Sequence, residues 1–174
     1  KSLDTIYGGA EGDYAYGGAG NDNIFGDDGS DVLFGDDGQD CLYGGAAADW
    51  LYGGAGADTL EGGAGVDVLR GGLGNDTLTG GSEADYFVFS NNDTAVTRLS
   101  QLNFGHEIIT DFQDGIDILT FEGGLTGLLR TQSDITSRLT EVNGNAVISF
   151  GADASITLVG IRASQITASD FLIS

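Results

Sequence analysis

Nine consecutive blocks of nine residues run from Gly8 to Val88 without an insertion, and they constrain this chain more than any other feature. They read GGAEGDYAY, GGAGNDNIF, GDDGSDVLF, GDDGQDCLY, GGAAADWLY, GGAGADTLE, GGAGVDVLR, GGLGNDTLT and GGSEADYFV. The first position is Gly in every block. The sixth is always Asp: Asp13, Asp22, Asp31, Asp40, Asp49, Asp58, Asp67, Asp76 and Asp85. The eighth is always apolar: Ala15, Ile24, Leu33, Leu42, Leu51, Leu60, Leu69, Leu78 and Phe87. A partial block precedes them, with Asp4 and Ile6 in the matching places. A fixed short period is the mark of a solenoid. Glycines let the backbone take φ > 0 and turn sharply. One apolar residue between outward neighbours suits a very short strand with a single inward side chain. Such a strand cannot bury its face alone, but stacked blocks join these residues into one column. The expected fold class is therefore all-β, a parallel β-roll with two blocks per coil. Blocks 18 residues apart stack directly, at about 4.8 Å.

This stacking sorts the aspartates. Asp13, Asp31, Asp49, Asp67 and Asp85 line one side, and Asp4, Asp22, Asp40, Asp58 and Asp76 line the other. The 174 residues carry 27 acidic against 6 basic side chains, a net charge of −21. Self-repulsion on this scale opposes compaction. With 40% of residues hydrophobic, a core forms only if something neutralises the charge. Carboxylate ladders so closely spaced call for cations between the rungs. Hard oxygen ligands in flexible turns select Ca²⁺ over softer metals, and over Mg²⁺, which demands tight octahedral geometry. A merely solvated acidic face is the alternative, and the strict register of nine aspartates weighs against it. The charge has the wrong sign for nucleic acid and for an anionic membrane. No run of about 18 apolar residues offers membrane insertion. Cys41 is alone, so no internal disulfide forms.

GGAGNDNIF and GGLGNDTLT match G-G-x-G-x-D-x-U-x (U apolar) at every fixed position, and over nine copies the chain closely resembles the RTX family. The resemblance covers about half the chain and implies a ligand set in which turns 18 residues apart share each ion. On one side Gly18, Gly20 and Asp22 would meet Gly35, Asp37 and Asp40. Asp36, Gly38 and Asp40 would meet Gly53, Ala55 and Asp58. Gly54, Gly56 and Asp58 would meet Gly71, Leu73 and Asp76. Opposite, Asp27, Gly29 and Asp31 would meet Gly44, Ala46 and Asp49. Gly45, Ala47 and Asp49 would meet Gly62, Ala64 and Asp67. Gly63, Gly65 and Asp67 would meet Gly80, Ser82 and Asp85. Two further sites would pair Gly9, Glu11 and Asp13 with Gly26, Asp28 and Asp31, and Asp4 with Asp22. Glu11, Ala47 and Glu83 depart from the motif, placing a Cβ where Gly is preferred. About seven or eight Ca²⁺ ions would offset most of the charge, and folding would be coupled to metal binding.

Position nine holds Tyr7, Tyr16, Phe25, Phe34, Tyr43 and Tyr52 before turning polar. These rings should point outward as two short ladders, with Trp50 nearby. Stacking that stiffens the coil, or contact with an upstream domain, is the expected role; sugar or partner binding is the alternative.

From Ser90 the nonamer stops, which divides the chain into a roll over 1–89 and a β-rich cap over 90–174. A solenoid end needs such a cap. Strands are expected at Glu107–Phe112, Ile116–Phe121, Ala146–Phe150, Ile156–Val159 and Phe171–Ile173. Asp114-Gly115 and Asn143-Gly144 read as hairpin turns, and Ser133–Leu139 as a helical turn capped by Ser133. YFVFS and ITDFQDGIDILTF resemble the segment after the repeats in secreted serralysin-type proteases, lipases and mannuronan epimerase modules. There Asp111, Asp114 and Asp117 would add a metal site, unless they are simply surface hairpin acids. The final ASDFLIS resembles the uncleaved export signal of type I secretion substrates.

These resemblances imply a secreted, extracellular module whose partners are calcium, the type I secretion apparatus and an upstream domain. The chain opens in mid-pattern at Lys1, in keeping with that last partner. In the calcium-poor cytosol the acidic chain would stay unfolded and threadable; outside, calcium would fold it. The expected function is to support secretion and folding of a larger protein. A polysaccharide-binding accessory module and a structural segment of an adhesin are the alternatives. No catalytic role is expected. His106-Glu107 lacks the second His of H-E-x-x-H, since Thr110 stands there. Ser90 and Ser100 lack the G-x-S-x-G elbow.

Overall fold

A computed structural model describes residues 2–90, 104–122 and 131–173. The repeat forms ten short strands: β1 (Thr5–Gly9), β2 (Tyr14–Ala19), β3 (Asn23–Asp28), β4 (Val32–Asp37), β5 (Cys41–Ala46), β6 (Trp50–Ala55), β7 (Thr59–Ala64), β8 (Val68–Leu73), β9 (Thr77–Ser82) and β10 (Tyr86–Ser90). The rest supplies β11 (His106–Ile109), β12 (Ile118–Glu122), α1 (Gln132–Thr136), β13 (Leu139–Val142), β14 (Asn145–Ser149), β15 (Ser155–Leu158) and β16 (Phe171–Ile173). Successive strands of the repeat alternate between two sheets. One sheet runs β1-β3-β5-β7-β9-β11-β15-β14-β13 and the other β16-β12-β10-β8-β6-β4-β2. Pairing within the repeat is parallel, with Leu33 opposite Leu51 and Leu42 opposite Leu60. The fold is thus the expected parallel β-roll.

Position eight builds the core. Ile24, Leu33, Leu42, Leu51, Leu60, Leu69, Leu78 and Phe87 are all 0% exposed. The column does not stop with the repeat. Ile109 and Leu158 continue it below Leu78, and Leu119 and Phe171 below Phe87. A cluster of Phe89, Phe104, Phe121, Phe150 and Phe171 then closes the end of the roll. Outside, Tyr7, Phe25 and Tyr43 form one stacked ladder, and Tyr16, Phe34 and Tyr52 the other, with centroids 4.8–4.9 Å apart. Strand stacking imposes that spacing on rings sharing a register position.

Two expectations for the C-terminal part change. Asp114-Gly115 is not a hairpin. The Ile116 and Asp117 N–H groups both donate to the Gln113 carbonyl, and the chain crosses from one sheet to the other to pair in parallel. A two-residue turn signal describes the local backbone but not the strand's partner. The helical turn begins earlier than Ser133. Thr131 is its N-cap, closed by a capping box with Asp134, whose side chain accepts from the Thr131 N–H. Asn143-Gly144 is the expected hairpin, with both residues at positive φ and β13 antiparallel to β14. The remaining strands fall where the alternation placed them, within two or three residues at each end.

Candidate metal centre

The turns between the sheets hold the aspartates in two columns. Each ladder carboxylate accepts, through Oδ1, the backbone N–H of the aspartate 18 residues earlier. The distances lie between 2.7 and 3.0 Å along Asp4–Asp22–Asp40–Asp58–Asp76 and along Asp13–Asp31–Asp49–Asp67–Asp85. From Asp22 to Asp85 these side chains are at most 2% exposed. In all eight, Oδ2 is buried without a hydrogen-bond partner.

The backbone explains where Oδ2 sits. A methyl carbon built on Gly44 would lie 2.5 Å from Asp49 Oδ2 and 2.6 Å from the Gly62 carbonyl oxygen. The Gly53, Gly62, Gly71 and Gly80 turns repeat this contact with Asp58, Asp67, Asp76 and Asp85. Position one is Gly because its own aspartate and the next coil's carbonyl fill the space a side chain would take. Carbonyls at positions two and four aim the other way, into the gap toward the following coil. Asp36 O faces Gly54, Gly54 O faces Gly72, and Gly38 O faces Gly56. Position-three carbonyls accept an N–H from the preceding coil, as Ala55 does from Gly38 and Leu73 from Gly56; a second lone pair stays open.

Two of the three departures from the motif, Ala47 and Glu83, are accommodated by positive φ, which Glu11 does not adopt. Ala47 and Glu83 stand at φ 75 and 82, whereas the position-four glycines lie between 129 and 158. Asp27 and Asp36, at position two, also adopt positive φ, at 73 and 70. Both residues are exposed, as are Asp28 and Asp37, and the Asp27 and Asp36 carbonyls face Gly45 and Gly54 of the following coil.

Burial of stacked acids has an electrostatic cost. Desolvation, reinforced by neighbouring ladder aspartates, pushes Asp49, Asp58 and Asp85 up to about 7. Burial lifts Asp76 to about 6, and raises Asp40, Asp67 and Asp117 as well. Among the described residues no three His, Cys, Asp or Glu side chains converge on one point. Any cation here must therefore draw on the carbonyls as well as on two carboxylates. Orphaned Oδ2 atoms in an acceptor-lined gap suit a hard divalent cation.

The columns outlast the repeat. Tyr86 pairs with Ile118, which puts Asp117 level with Asp85, and Asp117 Oδ1 accepts the Asp85 N–H at 3.1 Å. Asp111 receives the N–H groups of Gly80 and Gly81, at 2.9 and 2.8 Å, while Asp114 is exposed on its turn. On the other side Thr77 pairs with Ile108, so Glu107 takes the place of a ladder aspartate below Asp76. Glu107 is 1% exposed; neither of its oxygens makes a well-formed hydrogen bond, and its carboxyl lies against that of Asp76. Burial, then the charge of Asp76, pushes it up to about 9. His106 points outward from the same strand, with Nδ1 2.9 Å from Ser155 Oγ. Ser90 ends β10, and Ser100 lies outside the described residues. Glu107 was missed in sequence because 31 residues, not 18, separate it from Asp76. Gly105 two residues before it and Ile109 two after are the signal that could have found it.

A family model described as the RTX calcium-binding nonapeptide repeat matches residues 4–33, 25–60, 34–69 and 61–93, together just over half the chain. No curated protein matches the sequence. Among solved structures, the extracellular lipase LipA of Serratia marcescens is similar, at 18% identity and a TM-score of 0.45 over 100% of this chain. The chain spans 40% of that lipase's length. A subunit of the mannuronan C5-epimerase of Azotobacter vinelandii is similar at 22% identity and a TM-score of 0.35, covering 95% of this chain and 80% of that one.

Proposed function

Because the chain belongs to the RTX calcium-binding nonapeptide repeat family, we propose that it is the calcium-dependent folding module of a larger exported protein. The observation that carries this reading is the run of eight buried aspartates, each with one oxygen left unpartnered between coils. Calcium, when bound, supplies positive charge and six to eight oxygen-coordination positions. The aspartates contribute their Oδ2 atoms and their charge, and the turn glycines hold carbonyls toward the same gap. The ligand sets named from the sequence follow from this, with about seven or eight ions filling the two columns. Without them the stacked carboxylates oppose folding; with them the apolar column can close.

Such a chain suits export. Where calcium is scarce it stays unfolded and can thread a type I secretion apparatus; outside the cell it folds. Asp170 and Phe171 of the C-terminal ASDFLIS are buried once folded, with Asp170 accepting from Gly115 N–H and Thr167 N–H. In this reading the secretion machinery meets that segment before folding. We assign the chain no catalytic role, and place any activity in an upstream domain. Far-UV circular dichroism during calcium titration of the metal-stripped chain tests the reading, with magnesium as control. A cooperative gain of β signal with calcium alone supports it. A chain already folded in chelator would refute the coupling.

A second reading, polysaccharide binding, is favoured by one feature. A groove of about 210 Å³ on the outer face of the β2-to-β16 sheet is lined by Trp50, Tyr52, Arg70, Tyr86 and Glu122. Aromatic faces beside a charged pair suit a sugar ring. Titration of the folded form with uronic-acid oligosaccharides, following Trp50 fluorescence, decides it: no change in emission removes this reading.

A further inference from the structure

The interval between Asp76 and Glu107 repeats the geometry of the ladder above it. Ile108 N–H donates to Asp76 O at 2.9 Å, just as Thr77 N–H donates to Asp58 O at 2.9 Å. A methyl carbon on Gly105 would lie 1.6 Å from Gly74 O, as one on Gly74 would lie 1.5 Å from Gly56 O. The position-four carbonyl of the last repeat on this side, that of Gly74, therefore faces Glu107's turn as its predecessors face theirs. The acceptors here are more exposed to imbalance than in any rung above. Asp76 Oδ2 and both Glu107 oxygens lack a well-formed hydrogen bond, and the two carboxyl groups lie within reach of each other. Arg70 lines the small cavity next to Glu107, together with Gly71, Gly72 and Ser90; its Nη2 is ion-paired with Glu122, and its Nε is buried without a partner. Below, Ile156 stands opposite Glu107, so hydrocarbon closes the column. The other column ends differently: Asp117 Oδ1 takes the Asp85 N–H and Oδ2 takes the Gln113 N–H at 2.8 Å. There both oxygens of the terminal acid take backbone N–H groups, with Asp85 Oδ2 alone left over, whereas at the other end neither Glu107 oxygen makes a well-formed hydrogen bond.

We propose that Asp76 and Glu107, with the Gly74 carbonyl, form a further calcium site where the repeat meets the cap. The ion column then extends one interval beyond the last nonapeptide on this side only. Glu107, neither of whose oxygens makes a well-formed hydrogen bond, has the reach to bind such an ion bidentately. The site also fastens β11 to β9 by something other than strand pairing. This inference rests on the calcium reading above, and the test separates the two.

The test is anomalous difference density from crystals of the full chain grown in calcium, with bound calcium per chain counted by elemental analysis. Peaks within the aspartate ladders and one between Asp76 and Glu107 are expected. Glu107→Gln should remove the last peak and about one ion per chain, leaving the ladder peaks in place. Ladder peaks without one at Glu107 overturn this inference and leave the calcium reading standing. No peaks anywhere overturn both. Should Glu107→Gln fail to crystallise, the wild-type peak decides alone.

Discussion

Gly56→Ala probes whether glycine at position four serves the turn or the stack. Its φ is 151, and an added methyl carbon would lie 1.4 Å from the carbonyl oxygen of Gly38 in the coil before. Real Cβ contacts essentially never fall under 3.0 Å, so the neighbouring backbone must retreat by about 1.6 Å, a third of the coil spacing of about 4.8 Å. The alternative is rotation to the φ of 75 adopted by Ala47, which swings the residue's own carbonyl as well. A non-glycine residue in the left-handed region costs about 1–2 kcal/mol, and overpacking adds about 1–3 kcal/mol. A total near 3 kcal/mol corresponds to a fall in Tm of roughly 6–12 °C for a chain of this size. Gly9→Ala is the control, since φ is 115 and nothing lies within 4 Å of its methyl position. It should bear the backbone term alone, a loss of roughly 2–8 °C, smaller than that of Gly56→Ala. Thermal unfolding in saturating calcium, followed by far-UV circular dichroism, reads both. Equal losses would refute the argument and mean that glycine is needed for its φ alone.

Four further outcomes follow. Leu51→Ala, in the fully buried column, should cost about 3 kcal/mol, and a shift in the urea midpoint worth under about 1 kcal/mol would contradict the packing. Asp58→Asn keeps Oδ1 for the Asp40 N–H but removes a charge shared by two intervals; the calcium midpoint of folding should rise about tenfold, and an unchanged midpoint counts against the ladder as the metal ligand. Acid should partly replace calcium: Asp49, Asp58 and Asp85 sit near 7 when folded against an ordinary 3.8, so the folded chain binds more protons between those values. Metal-free stability is therefore present at low pH and lost as pH rises through about 7; chelated protein should show more β signal at pH 5 than at pH 8, and the reverse order would be incompatible with this. Finally, Gly105→Ala should destabilise by several degrees more than Gly151→Ala, because only the former meets a neighbouring carbonyl; similar losses would mean the cap is not stacked in repeat register.

The roll was legible because its three position classes each answer to one physical demand. Gly, Asp and Leu recur at fixed offsets, so coil period, strand register and both aspartate columns follow from the period alone. The cap was less legible, and for one reason. Gly105-His106-Glu107-Ile108-Ile109 and Gly115-Ile116-Asp117-Ile118-Leu119 carry the same spacing of glycine, acid and apolar residue as the repeat. They come 31 and 32 residues after Asp76 and Asp85, out of phase with an 18-residue coil. Local turn chemistry at Asp114-Gly115 then suggested a hairpin, although the strand it precedes joins β10 in parallel. The left-handed backbone at Asp27 and Asp36 was hidden too, since aspartate stands there in place of the motif's second glycine.

The alternation of strands between two sheets makes the length of this rod quantised. Loss or gain of two blocks moves every later strand by one rung and leaves each pairing partner, carboxylate column and aromatic stack as it was. Loss or gain of one block sends β11 to the wrong face, and Glu107 then falls beneath Asp85 instead of Asp76. Only even steps preserve the joint with the cap. Repeat number is thus a heritable dial with a coarse click. Contour length then changes in whole rungs, without redesign of any one of them.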